Sequence, residues 1–173
     1  RWLTWTQQPN DGDPTVHVRR LDDTVRHAIP VGSGAQFADD GRWLGAFVQP
    51  PEKEAERLRR QRRAVPRTAV LLDLATGTRD SVPNAAALTF ATGGRWVAVK
   101  RARVDTTSRA QGTDVVLRDL ATGAVRHLGS VGQLAFNEAG KGRPATRLAY
   151  TVDAADRAGN GVYVVDLASG RTT

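Results

Sequence analysis

The chain has 173 residues, 40% of them hydrophobic, with 17 glycines, 8 prolines and no cysteine. That composition suits a globular domain and excludes disulfides, thiolate metal sites and cysteine nucleophiles. The net charge of +7 raises nucleic acid as a partner. However, the only lysines are Lys53, Lys100 and Lys141; the rest of the positive charge is arginine spread along the chain. No aromatic residues interleave with a basic face, so nucleic-acid binding is set aside. No apolar run approaches the roughly 18 residues of a membrane helix.

In chain order, RWLTWTQQ at 1–8 reads as the interior of a strand and carries no charged-then-apolar leader, so the sequence starts in mid-structure. HVRRLDDT at 17–24 gives a strand and turn, and VRHAIP at 25–30 a further strand. QFADDGRWLGAFV at 36–48 then sets a pattern: a short strand ending in Phe37, a glycine-containing turn, and a strand opening with Arg-Trp. LTFATGGRWVAVK at 88–100 repeats it with Phe90, and 133–152 repeats it with Phe136, a longer turn and Arg-Leu.

A second pattern follows each of these. DLATG stands at 73–77 and 119–123, and DLASG at 166–170, spaced by 46 and then 47 residues. Each is preceded by a β-branched run: TAVLLDL, TDVVLRDL and GVYVVDL. The first two are followed by another short strand, TRDSVP and AVRHLG. The motif is therefore a strand end plus a hairpin turn, in which glycine takes a positive φ and the aspartate bonds nearby amides. Three copies argue for a structural rather than a catalytic aspartate.

Four short antiparallel strands in about 45–50 residues are one blade of a β-propeller. The expected fold is all-β: an incomplete propeller arc of about three and three-quarter four-stranded blades over 1–173. Residues 1–30 supply the last three strands of one blade, and 31–84, 85–130 and 131–173 supply one blade each. The middle strands, Trp43–Val48 for example, are apolar on both faces, as strands between packed sheets should be. The Trp and Phe residues are read as packing between blades.

One blade carries a long insertion, QPPEKEAERLRRQRRAVPR at 49–67. Pro50 and Pro51 open a helix. Glu52, Glu54 and Glu56 suit its positive end, and Arg57, Arg59, Arg60, Arg62 and Arg63 its negative end, before Pro66 stops it. It is either a solvated excursion or a docking surface. The 101–112 stretch occupies the same hairpin of the next blade and is looser.

Catalytic and metal signatures are absent from the sequence. His17, His27 and His127 form no HxxxH or HExxH pair. Asp153, Asp156 and Asn160 lack the glycine and terminal glutamate of an EF-hand. LGSVG at 128–132 has Leu128 where a nucleophile elbow needs glycine, and with GSG at 32–34 it reads as a turn between blades. No catalytic, metal or cofactor residue is assigned.

Taken in order, FADDGRWLGAF, the Pro-Pro charged insertion, LLDLATG, VVLRDLATGAVRHL and GVYVVDLASG resemble the N-terminal propeller of prolyl oligopeptidase-type serine peptidases, in particular a large secreted bacterial group. The resemblance covers essentially the whole chain. It implies a propeller over an α/β-hydrolase domain that bears a Ser-Asp-His triad. The propeller would act as scaffold and gate, admitting peptides and excluding folded proteins. The downstream hydrolase domain and peptide substrates would then be its partners, with a periplasmic or secreted location. Some relatives hold the substrate amino end with paired glutamates on a propeller insertion. Glu52, Glu54, Glu56, Arg59 and Arg63 are accordingly the candidate substrate or domain contacts. The alternative is a periplasmic Tol-type propeller that binds proteins without catalysis.

Overall fold

The computed structural model describes residues 1–104, 107–138, 143–157 and 159–173. Parts of the expected 101–112 hairpin, of the long turn after Phe136 and of the loop containing Asp156 thus lie outside the described residues. The chain divides into two compact units, Arg1–Ala85 and Ala86–Thr173.

In the first unit, β1 (Trp2–Gln7), β2 (Thr15–Arg20) and β3 (Arg26–Pro30) form a three-stranded antiparallel sheet in the order β1-β2-β3. A second sheet follows in the order β4 (Gly32–Phe37), β5 (Trp43–Val48), β6 (Thr68–Asp73) and β7 (Arg79–Val82). This up-and-down order of sequential neighbours is that of a propeller blade. The helix α1 (Glu52–Arg60) interrupts the hairpin between β5 and β6.

The second unit is built from β8 (Ala85–Phe90), β9 (Trp96–Arg101), β10 (Thr113–Asp119), β11 (Val125–Phe136), β12 (Arg147–Val152) and β13 (Gly161–Asp166). Here β11 is shared by two meanders. Its first part pairs with β10 and its second with β12, and Val131 belongs to both registers, facing Thr113 on one side and Val152 on the other.

Of the junctions expected at GSG and LGSVG, the second does fall inside its motif, at Ser130 within β11, while the first falls at Val31, one residue before the glycines of β4. A single residue in the left-handed region carries each junction: Val31 (φ 54°), Asn84 (φ 55°) and Ser130 (φ 53°). Asparagine tolerates this conformation, whereas a β-branched valine there is strained. Three unlike side chains share one backbone state, so the junction leaves no motif in the sequence.

Middle strands are buried on both faces. Trp43, Leu44, Gly45 and Ala46 of β5 and Trp96, Val97, Ala98 and Val99 of β9 are all buried. In the first unit, Val16, Val18 and Ile29 pack with Leu44, Ala46, Leu72 and Leu74, joining the three-stranded sheet to the four-stranded one face to face. In the second, Trp96, Ala98, Val115 and Leu117 pack with Val131, Leu148, Val165 and Leu167. Alternate residues of each strand fill these cores, as a pleat requires.

The repeated Asp-Leu turn has one geometry. The Gly77, Gly123 and Gly170 amides each bond the backbone carbonyl of the aspartate four residues earlier, at 2.8 Å. All three glycines have φ between 73° and 77°, a region where a Cβ is costly. The Ala75 amide donates to Asp73 Oδ1 at 2.9 Å and the Ala121 amide to Asp119 Oδ1 at 3.0 Å. Each aspartate also receives an arginine from the residue just before the neighbouring strand. Arg42 Nη2 donates to Asp73 Oδ2 at 2.9 Å, and Arg95 Nη2 to Asp119 Oδ2 at 2.8 Å.

The third copy departs from this arrangement. Arg147 pairs with Asp166 in the ladder position that Trp43 and Trp96 hold opposite Asp73 and Asp119. The Arg-Leu pair is thus one residue out of step with the Arg-Trp pairs, and Thr146 stands where an arginine would reach the aspartate. Ser169 takes over, donating from both its amide and its hydroxyl to Asp166 Oδ1 at 2.8 Å.

These contacts set an acid limit on stability. The Arg95 hydrogen bond outweighs burial and holds Asp119 below its ordinary value; burial pushes Asp73 up, but Arg42 and the turn amides bring it below as well. A folded-state pKa below the unfolded value means stability that is fully present above about pH 4 and is lost as pH falls through the folded value. The thermal midpoint should therefore stay level from pH 7 to about 5 and then drop, and Asp119→Asn should shallow the drop. At neutral pH, Asp119→Ala should cost about 1–3 kcal/mol in chemical denaturation, since it strands the Ala121 amide and the arginine. Asp166→Ala should cost less.

Candidate functional site

The helix α1 starts at a proline that cannot cap it through a side chain, and Pro51 makes no such bond. The cap comes from far along the chain: Asp13 Oδ1, in the loop between β1 and β2, accepts from the Glu52 amide at 2.7 Å. A carboxylate at this end also suits the helix dipole. Ala55 and Leu58, the only apolar residues of the helix, are both buried. These two side chains and the Asp13 bond hold the insertion down; the other side chains of α1 are exposed.

The helix ends in a Schellman arrangement. The Arg63 amide bonds the Leu58 carbonyl at 2.9 Å and the Arg62 amide bonds the Arg59 carbonyl at 2.9 Å, with Arg62 at φ 56° in the position usually given to glycine.

Among the candidate contacts, Glu52 and Arg59 are brought together at 2.7 Å. Glu54 pairs with Arg57 at 3.4 Å and Glu56 with Arg60 at 3.3 Å. The three glutamates do not converge on a common point; each faces an arginine of its own helix. Among the described residues, Lys53, Arg62 and Arg63 have no ion-pair partner. The 49–67 insertion carries three carboxylates against seven cations. What it presents outward is therefore positive charge, and its chemistry is that of contact rather than proton transfer.

Asp73 and Asp119 are the buried charged residues among those described. A general acid or base at neutral pH needs a carboxyl pushed upward; these two are held down and bonded to turn amides, which is a structural duty. Tyr150 is pushed up by burial and by the neighbouring Tyr163, with which it stacks at 5.6 Å. His17 stacks on Trp5 at 5.2 Å and His27 lies 5.7 Å from Trp2. Among the described residues no group of three or more His, Asp or Glu is placed to hold a metal ion. No helix among them is long and apolar enough to cross a membrane.

The sequence reading missed a cleft in the second unit. Lys100, Arg101, Arg103, Gln111, Thr113 and Asp153 contribute to its wall. The signal was present as KRAR at 100–103, where strand alternation passes into the loose hairpin.

No family model matches the chain, and no curated protein matches it. Solved structures do. The β-propeller domain of the Trilobed protease from Pyrococcus furiosus aligns at a TM-score of 0.58 and 12% identity, over 99% of this chain and 52% of that one. The acylaminoacyl peptidase of Pyrococcus horikoshii aligns at 0.52 and 13%, over 99% and 30%. TolB from Acinetobacter baumannii aligns at 0.46 and 14%, over 99% and 40%. The chain thus spans about half, or less, of the proteins it resembles. At these identities the likeness establishes the fold, a β-propeller of antiparallel sheets.

Arg62→Gly should stabilise the insertion. It relieves an exposed left-handed arginine whose side chain makes no ion pair among the described residues, a gain of about 0.5–1 kcal/mol after the larger unfolded-state entropy of glycine is subtracted. Urea unfolding of the two proteins measures it, and an unchanged or lower midpoint would contradict the Schellman reading.

Proposed function

We propose that the chain is the non-catalytic propeller region of a prolyl oligopeptidase-like serine peptidase, serving as scaffold and gate for peptide hydrolysis carried out elsewhere in the protein. The observation that carries this reading is the coincidence of two independent likenesses. The ordered blade motifs and the insertion in one particular hairpin resemble that family in sequence. The propeller fold aligns with the propeller of a protease and with an acylaminoacyl peptidase.

The described residues support a non-catalytic role for this region. Their buried carboxylates are clipped into turns by arginine and backbone amides, and the glutamates of α1 are each tied to an arginine. Chemistry belongs to the α/β-hydrolase domain, which is the partner of this region. Peptides are the substrates, since a propeller over the hydrolase site admits chains and turns away folded proteins. Export to the periplasm or medium follows from the family likeness. Within this reading α1 is the contact element, with Arg59 and Arg63 toward the hydrolase domain or the substrate.

The test uses the full-length gene product. It should be labelled by a serine-directed fluorophosphonate, cleave short peptides and leave a folded protein of the same sequence content intact. A product that takes no label and cleaves no peptide would overturn the peptidase reading and leave a propeller that only binds.

A further inference from the structure

We infer that two copies of this chain associate head to tail, the outer face of the last meander in one copy seating on the outer face of the first sheet in the other. This association is independent of the peptidase reading. Strand register carries it, because register places each residue of one meander on a counterpart in the next. The ladder pairs Trp2–Arg20, Trp43–Asp73, Trp96–Asp119 and Arg147–Asp166 are equivalent positions.

Counted from those pairs, Leu3 of β1 stands where β5, β9 and β12 carry Leu44, Val97 and Leu148. Leu21 stands where the Asp-Leu turns carry Leu74, Leu120 and Leu167. All of these counterparts are buried. Leu44 and Leu74 are buried in the cluster that Val16, Val18 and Ile29 of the first sheet complete. Leu3 and Leu21, by contrast, are 50% and 54% exposed. Trp5, at the position of the buried Ala46 and Val99, is exposed as well. The first sheet thus repeats the receiving half of a contact between sheets and leaves it bare.

The last meander, the second half of β11 with β12 and β13, repeats the other half. Val164 and Val162 lie two and four residues before Asp166. Val18 and Val16 lie so before Arg20, Leu71 and Ala69 before Asp73, and Leu117 and Val115 before Asp119, and all six are buried. Val115 and Leu117 pack with Leu148 and Leu167 of the following meander. Val162 is 72% exposed. Its ladder neighbours on the same face are small: Thr151 opposite Val162, Ala149 opposite Val164, and Ala135 opposite Ala149. Small side chains there leave room for Trp5, which is larger than the Ala46 and Val99 of the other copies. Arg19 shares the first face, at the position Arg118 holds in β10, so a cation is accommodated in this kind of contact.

Each copy therefore shows both halves of one contact, bare, and apolar positions that the repeat elsewhere buries favour association over water. Unlike faces joining head to tail make a heterologous contact, which either closes or grows. The extent of a propeller points to closure at two copies. The chain spans 52% of the propeller domain of the Trilobed protease, so two copies supply as much sheet as one such domain.

Sedimentation velocity of the purified chain tests this. At about 100 μM, where even a micromolar contact is populated, the wild type should sediment with about twice the 18.6 kDa mass of one chain. Leu3→Asp and Val162→Asp each bury a charge in the contact, and each should raise the dissociation constant at least about tenfold. Both positions are exposed in a single copy, so the variants should keep the wild-type circular dichroism; the wild-type mass stands without them. An equimolar mixture of the two variants should regain dimer, because it retains one intact first face and one intact last face. A monomeric wild type would overturn the association and leave both faces to other sheets. A dimer that survives either substitution, or a mixture that stays monomeric, would overturn the head-to-tail contact.

Discussion

Everything in this fold depends on closing the Asp-Leu hairpin. A strand buried on both faces has no freedom to end wherever it likes, because its last carbonyls and amides must find partners before the chain reaches solvent. At Asp73 and Asp119 one carboxylate does several jobs. It bonds a turn amide two residues on, accepts an arginine from the start of the adjacent strand, and its own carbonyl receives the glycine amide. The same arginines lie about 6 Å from the ring centres of Trp43 and Trp96, so the charge pair and the buried aromatic are fixed together. The next amide along, that of Leu74 or Leu120, bonds back to the carbonyl of Arg42 or Arg95 at 2.9 and 2.8 Å. Hairpin end and neighbouring strand start thus become one rigid corner, and the flat apolar strands between corners are free to stack.

The corner also explains the places where copies differ. In the first sheet, Arg20 faces Trp2 in the ladder where an aspartate faces tryptophan elsewhere, and it turns to Asp23 at 3.2 Å. In the last copy, Ser169 substitutes for the arginine. The backbone contact survives in both: Leu21 bonds the Arg1 carbonyl at 3.0 Å and Leu167 the Thr146 carbonyl at 2.9 Å. The repeat is therefore conserved as a hydrogen-bond pattern, and the side chains are alternative ways of satisfying it.

Much of this was legible beforehand. Strand ends at Phe37, Phe90 and Phe136, the all-β class and the helix in one hairpin follow from spacing and from proline and glycine placement. What escaped was governed by groups without a sequence signature. The left-handed junction residue is Val31, Asn84 or Ser130 in turn. The one-residue offset of Arg147 is visible only once the strand register is known. Helix α1 was foreseen from its prolines and charge order, but its cap, Asp13, lies 39 residues away. The pairing of each glutamate with its own arginine likewise depends on three-dimensional placement. Candidate contact residues could be read as a charged segment; what that segment offers to a partner could not.

The most direct test of the account is native-state hydrogen exchange at the turn amides of Ala75, Gly77, Ala121 and Gly123. If the aspartate corners hold the sheets together, these amides should exchange only with opening free energies close to those of the central strands β5, β6, β9 and β10, although they sit in hairpin turns. Exchange at the rate of an open loop, with the strands still protected, would show that the strands stack without the corners and would contradict the account.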